Sequence, residues 1–170
     1  MTQNQPKVRV NIKYGNVEEA FEGTIEQAWL ELSKFFSVFI PQFEIANKLR
    51  LSVDTAALAR DCEGIIAFSP EGPNVLVPKN KLTDNEALAL WLVAAYLGNK
   101  LNLLAADGFS KEELQIHLGK SGKITSTRLG ELVKMGWATK TDNETFRITT
   151  FGVAQMQKDA LPRIIAKTGV

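Results

Sequence analysis

Apolar and polar positions alternate at the start of the chain and then recur at helical spacing. Val8, Val10, Ile12 and Tyr14 alternate with Arg9, Asn11 and Lys13, the period-two pattern of a half-buried strand. With Gly15-Asn16 as a two-residue loop, the register sets Val10 opposite Phe21, Tyr14 opposite Val17, Lys13 opposite Glu18 and Arg9 opposite Glu22. Apolar meets apolar and charge meets opposite charge, except that Ile12 faces Glu19. Thr24 and Gln27 form a capping box ahead of Trp29, Leu32, Phe35, Phe36 and Phe39, whose spacing predicts a helix that covers the hairpin and stops at Ile40-Pro41.

A second helical stretch is expected from Gln42 to Leu49, and Ser52-Val-Asp-Thr55 opens a short helix to Arg60. Gly64-Ile-Ile-Ala-Phe68 and Asn74-Val-Leu-Val77, separated by the turn-rich Ser69-Pro-Glu-Gly-Pro73, read as a second hairpin. Residues 1–80 are therefore expected to form an α+β module, β-β-α-α-α-β-β in order. Pro78-Lys-Asn-Lys-Leu82 is the expected boundary, because Pro and polar residues there separate a strand pattern from a strong helix start. No repeat or low-complexity segment interrupts the pattern.

Residues 81–170 form the second part. Thr83-Asp-Asn-Glu86 is a capping box, and the helix after it, to about Leu97, is apolar on nearly every side and needs cover all round. Gly98-Asn99 is its expected end, and 102–108 a loop. Ser110 with Glu113 caps a helix over 111–118 that Gly119 ends. The turn Lys120-Ser-Gly-Lys123 leads to a further helix, capped near Thr125, with Leu129, Leu132 and Val133 facing inward. Thr127, Gly130, Glu131 and Lys134 then point away from that stripe, with Arg128 on its shoulder. Gly136 closes this helix. Trp137-Ala-Thr-Lys140 and Thr145-Phe-Arg-Ile-Thr149 follow as strands about the turn 141–144, and a last helix runs over roughly 150–165 with Leu161-Pro162 interrupting it.

The pattern Arg128-Leu129-x-Glu-Leu132-Val-x-x-Gly136-Trp137, then Ile148-Thr149-x-x-Gly152, is similar to the recognition-helix, wing and last-helix passage of archaeal and bacterial winged helix-turn-helix regulators. The resemblance covers the chain from Leu82 onward. It implies a winged helix-turn-helix with the helix at 125–135 and the wing at 137–149 against a partner; with the amino-terminal module packed on it through the all-round apolar helix after Thr83, the expected fold is α+β. It does not name that partner, because one fold serves many ligands. Residues 1–80 resemble no family.

Charge sharpens this picture. The chain carries 20 basic and 19 acidic residues, a net +1, which excludes a uniformly polybasic protein. Residues 111–170 hold 10 Lys or Arg against 6 Asp or Glu, whereas residues 1–110 hold 10 against 13, so the basic excess falls on the winged-helix part. If that part meets duplex DNA, Lys120, Lys123, Ser126, Thr127, Arg128, Lys134, Lys140 and Arg147 form the contact set: short polar residues for base edges, cations for phosphates. Asp142 and Glu144 at the wing tip and Glu131 on the outward face would repel phosphate, and they motivate the alternative of a protein-interaction module within a transcription, replication or translation assembly. Leu161, Ile164 and Ile165 mark a homodimer seam if exposed, or pack on the helix 83–97 if not; the amino-terminal module is a further candidate for dimerisation or partner contact.

Catalytic and metal chemistry find no support. His117 is the only histidine and Cys62 the only cysteine, far apart in sequence, so neither a Cys/His nucleophile nor a zinc site is expected. Gly119-Lys120-Ser121 lacks the earlier glycine and leading strand of a phosphate-binding loop. Asp54, Asp61 and Glu63 read as a helix cap and a solvated end. Trp29, Trp91 and Trp137 are spaced as core residues. The expectation is a non-enzymatic DNA-binding protein, a transcriptional regulator or chromatin-associated factor, with no cofactor and no metal. One cysteine suits a reducing compartment, and neither a signal-peptide h-region nor a bilayer-length apolar run is present, so a cytoplasmic protein is expected.

Overall fold

The computed structural model describes residues 7–39, 45 and 49–169 of the 170. The start of the tail, the stop at Ile40-Pro41 and most of the helix expected from Gln42 to Leu49 lie outside the described residues. The fold is α+β, and its contacts divide it into two compact units, Met1–Leu51 and Ser52–Val170.

In the first unit, β1 (Val8–Tyr14) and β2 (Val17–Gly23) pair antiparallel in the register read from the alternation, with Val10 opposite Phe21 and Ile12 opposite Glu19. Gly15 takes φ +60° in the loop, a conformation glycine adopts at no steric cost. Arg9 and Glu22 form an ion pair at 2.6 Å, and Lys13 lies 4.0 Å from Glu18. The Thr24 N–H donates to Gln27 Oε1 (3.0 Å) and the Gln27 N–H to Thr24 Oγ1 (3.3 Å), so the capping box forms and starts α1 (Ile25–Phe39), which packs on both strands. Phe35 and Ala28 are buried. Trp29 is 58% exposed, contrary to its reading as a core residue: the buried stripe runs through Ala28 and Phe35 and leaves the indole outside it.

The second unit opens with α2 (Thr55–Asp61), N-capped by Asp54, whose carboxylate accepts from the Ala57 N–H at 3.0 Å. Strands β3 (Ile66–Ser69) and β4 (Gly72–Val75) form the second hairpin, with a tighter turn than Ser69-Pro-Glu-Gly-Pro73 suggests. Ser69 and Gly72 pair across it, and Asn74 Nδ2 donates to Ser69 Oγ and to the Gly72 carbonyl at 3.2 Å. These elements pack with α3 (Asp84–Lys100), so the division between units falls ahead of the segment Pro78–Leu82 and not within it. That segment is a single 3-10 turn, Lys79–Lys81.

Helix α3 is buried along nearly its whole length, from Glu86 to Ala95 apart from the half-buried Trp91, and again at Leu97 and Gly98. It continues to Lys100, past the expected end at Gly98-Asn99, because Gly98 is a packing residue. A methyl there would stand 2.5 Å from Leu104 and 2.8 Å from Phe68. Strand β5 (Gly108–Ser110), not expected from sequence, begins at the end of the loop read over 102–108 and is followed by α4 (Lys111–Leu118) and α5 (Gly122–Lys134), then by β6 (Ala138–Lys140) and β7 (Thr145–Ile148). The sheet order is β5-β7-β6, both pairs antiparallel, with Ser110 opposite Thr145 and Ala138 opposite Ile148.

After the sheet come α6 (Thr150–Gln155), a π-helical turn over Met156–Ala160, and α7 (Leu161–Thr168), with Pro162 in the first turn of α7. The proline that the sequence reads as an interruption is thus placed where its missing N–H costs little. Leu161 and Ile164 are fully buried and Ile165 packs against the same core, so these three side chains are not an exposed dimer seam. Arg163 and Lys167 reach Glu86 at 3.8 and 3.7 Å, tying α7 to the first turn of α3.

Candidate nucleic-acid interface

Helix α4 begins at the capping box of Ser110 and Glu113 and ends at Gly119, which takes φ +70°. Its neighbour α5 starts earlier than the sequence suggests. Ser121 is the N-cap, accepting from the Ile124 N–H at 3.4 Å, whereas Thr125 sits inside the helix, fully buried, its hydroxyl donating to the Ser121 carbonyl at 3.1 Å. Leu129 and Leu132 fix the inward face. Val133, expected beside them, is 40% exposed, because the buried stripe runs through Thr125, Leu129 and Leu132 and leaves Val133 on its edge.

The outward face of α5 carries Lys123, Ser126, Thr127, Gly130 and Lys134, all exposed. Among the described residues, a methyl at Gly130 would meet nothing within 4 Å, so the helix backbone lies open at the middle of this face. The Thr127 hydroxyl donates to the Lys123 carbonyl at 2.9 Å and retains its acceptor lone pairs. Lys120, Lys123 and Lys134 make no ion pair among the described residues.

The other cations of the expected set are engaged within the molecule. Arg128 Nη1 donates to both carboxylate oxygens of Glu131 at 3.0 Å, and its Nε lies 3.6 Å from Asp84 Oδ2 on α3. Glu131 also accepts from Asn85 Nδ2 at 2.9 Å, and these bonds, Asn85 first and then Arg128, hold its carboxyl below the usual range. Glu131 is therefore turned onto α3 and half-buried, not set on the outward face. In the hairpin, Lys140 pairs with Glu144 at 2.8 Å and lowers that carboxyl's pKa, while Arg147 lies 3.5 Å from Asp107. Asp142 stays exposed at the turn.

One hydroxyl locks the hairpin to the last helices. Thr149 Oγ1 donates to the Gly136 carbonyl at 2.6 Å and accepts from the Gly152 N–H at 2.9 Å as the N-cap of α6, while the Thr149 N–H donates to the Trp137 carbonyl at 2.9 Å. A side chain at position 152 would collide with the Trp137 carbonyl, which explains the glycine there.

The residues singled out for other chemistry stay apart. Cys62 is buried, and burial pushes its thiol up to about 12, an unreactive state at neutral pH. His117 stacks on Trp91 with ring centroids 3.7 Å apart and planes at 12°. Among the described residues no cluster of His, Cys, Asp and Glu could hold a metal ion, and no helix is long and apolar enough to cross a membrane. Comparison with known proteins finds no matching family model, curated protein or solved structure.

Proposed function

We propose that this protein is a non-enzymatic binder of double-stranded DNA, a transcriptional regulator or chromatin-associated factor of the winged helix-turn-helix kind, with α5 as the helix offered to the major groove and β6–β7 as the wing. Helix, short strand, two helices and hairpin follow one another in the order that such a fold requires. The observation that carries the reading is the outward face of α5: Ser126, Thr127 and Gly130 lie between Lys123 and Lys134, with the one carboxylate of the helix drawn away onto Asn85 and Arg128. Short side chains let a helix sit deep in a groove, and unpaired ammonium groups at its ends displace phosphate counterions. The contact set narrows from the eight residues expected to Lys120, Lys123, Ser126, Thr127 and Lys134, with Arg128 positioning the helix. A mobility shift of a mixed-sequence duplex by the wild type and by Lys123→Ala/Lys134→Ala tests this. Loss of the shift in the double variant is the expected result, and equal shifts contradict the reading.

A second reading, a protein-interaction module within a transcription, replication or translation assembly, draws on the wing. Its two cations are paired, Asp142 is exposed, and Ile124, Val133 and Met135 add exposed apolar surface beside the α5 face. A partner whose co-purification survives nuclease treatment and is lost on Asp142→Lys favours this reading; one lost with nuclease disfavours it.

A further inference from the structure

Between the 3-10 turn at Lys79–Lys81, the first turns of α3 and the carboxy end of α4 lies a cleft of about 470 Å³. That is within the size range of pockets that enclose small organic ligands. Val77, Leu82, Ala87 and Leu118 give it an apolar floor, and the stacked rings of Trp91 and His117 form a wall, braced by Phe109 edge-on to both.

The rim has the opposite character. Lys79 and Lys120 both line it, and neither makes an ion pair among the described residues. Lys79 Nζ stands 3.2 Å from the position a methyl on Gly119 would take, which sets the ammonium over the end of α4, close in sequence to Lys120. The one carboxylate of the lining, Asp84, is 3.6 Å from Arg128 and partly neutralised by it. Burial, outweighing the pull of Glu113 and helped by the charge of Lys79, holds the His117 ring below its ordinary pKa and so favours its neutral form. The Gly119 N–H is already spent on the Gln115 carbonyl at 2.9 Å, so the recognition offered here is two point charges and not a backbone cradle.

We propose that this cleft binds a small organic acid, a single carboxylate on a compact apolar body, with the carboxylate at Lys79 and Lys120 and the body on the Val77–Leu82–Ala87 floor against the Trp91–His117 wall. Two ammonium groups disfavour cations, and the apolar floor gains nothing from a fully hydrated anion. The cleft shares Lys120 with the proposed nucleic-acid face but rests on its own geometry and not on that reading.

His117 is the only histidine of the chain, so its ring protons give a one-residue reporter in proton NMR of the tag-free protein. The probes are 1-naphthoate and octanoate, with 1-naphthalenemethanol as the neutral comparison. The expected result is a saturable shift of the His117 signals by at least one of the acids, with weaker binding of the alcohol. Lys79→Ala and Lys120→Ala should each weaken acid binding roughly three- to fivefold, the share of an exposed ion pair. Both side chains are exposed, so the fold is retained, and Lys158→Ala, which is not among the residues lining the cleft, should leave affinity unchanged. No saturable shift with either acid, an alcohol that binds as tightly, or affinity that ignores Lys79 and Lys120 or depends equally on Lys158 would overturn the proposal.

Discussion

Arg128 on α5 reaches across to Asp84 in the first turn of α3, Nε to Oδ2 at 3.6 Å, while its Nη1 holds both oxygens of Glu131. The guanidinium thus orients the helix from its inner shoulder. Arg128→Ala should lower duplex affinity less than Lys123→Ala or Lys134→Ala and leave the salt dependence of binding unchanged, because no phosphate contact is lost. Each lysine variant should instead reduce the log–log salt slope by about 1. Anisotropy titrations at several salt concentrations separate the two behaviours.

Lys140 and Glu144 neutralise each other at 2.8 Å on the β6–β7 hairpin proposed as a wing. Glu144→Gln should free Lys140 for phosphate, strengthening duplex binding and steepening the slope by up to about 1. Glu144 is exposed, so the stability change should stay within about 0.5 kcal/mol by urea denaturation. An unchanged slope would place the wing away from the duplex.

Among the described residues, Gly130 has no neighbour that requires a glycine. Gly130→Ala should therefore stabilise the fold by up to about 1 kcal/mol, the helix-propensity difference. The same methyl would stand at the middle of the outward face, and duplex affinity should fall. A variant that is more stable and binds equally well would remove Gly130 from the contact surface.

How much of this was legible depended on the range of the interaction. The β1–β2 register followed from alternation and charge pairing, and the boxes at Thr24/Gln27, Thr83/Glu86 and Ser110/Glu113 are set by residues three apart, so all formed as read. Strand β5 escaped notice because three residues carry no period and its partner lies at 145–147. The cap of α5, expected near Thr125, is Ser121, which accepts from the Ile124 N–H, while Thr125 lies buried inside the helix. Gly98 has the look of a helix end, yet its role is fixed by Leu104 and Phe68. Helical spacing alone sets Thr127, Gly130 and Lys134 outward, as found, but it also sets Glu131 there, which Asn85 and Arg128 instead draw onto α3. The engagement of Arg128 by Asp84 and the cleft at Lys79, Trp91 and His117 join segments far apart in sequence, and no local pattern announces them.

Glu86 offers a check on the framework behind the site. Burial pushes its carboxyl upward, but the Thr83 N–H and hydroxyl, Lys167 and Arg163 together outweigh that and hold it below the ordinary carboxylate range. A carboxyl depressed in the folded state adds stability that is complete above its unfolded pKa and lost as pH falls through the folded one. Glu86→Gln should cost about 1 kcal/mol at neutral pH, the excess of a charged over a neutral hydrogen-bonded group. Urea denaturation should show that difference shrinking as the pH falls below the ordinary carboxylate range and through the lowered folded-state pKa. A difference that persists in acid would mean the carboxylate's charge is not what ties α7 to α3.

The most direct measurement is the salt dependence of duplex binding by the wild type and by Lys120→Ala/Lys123→Ala/Lys134→Ala, between about 50 and 200 mM salt. Three engaged lysines predict a log–log slope of about −3 for the wild type, approaching zero in the triple variant. Absence of binding at the lowest salt, or a slope that the three substitutions leave in place, would contradict the assignment of α5 as the face that meets DNA.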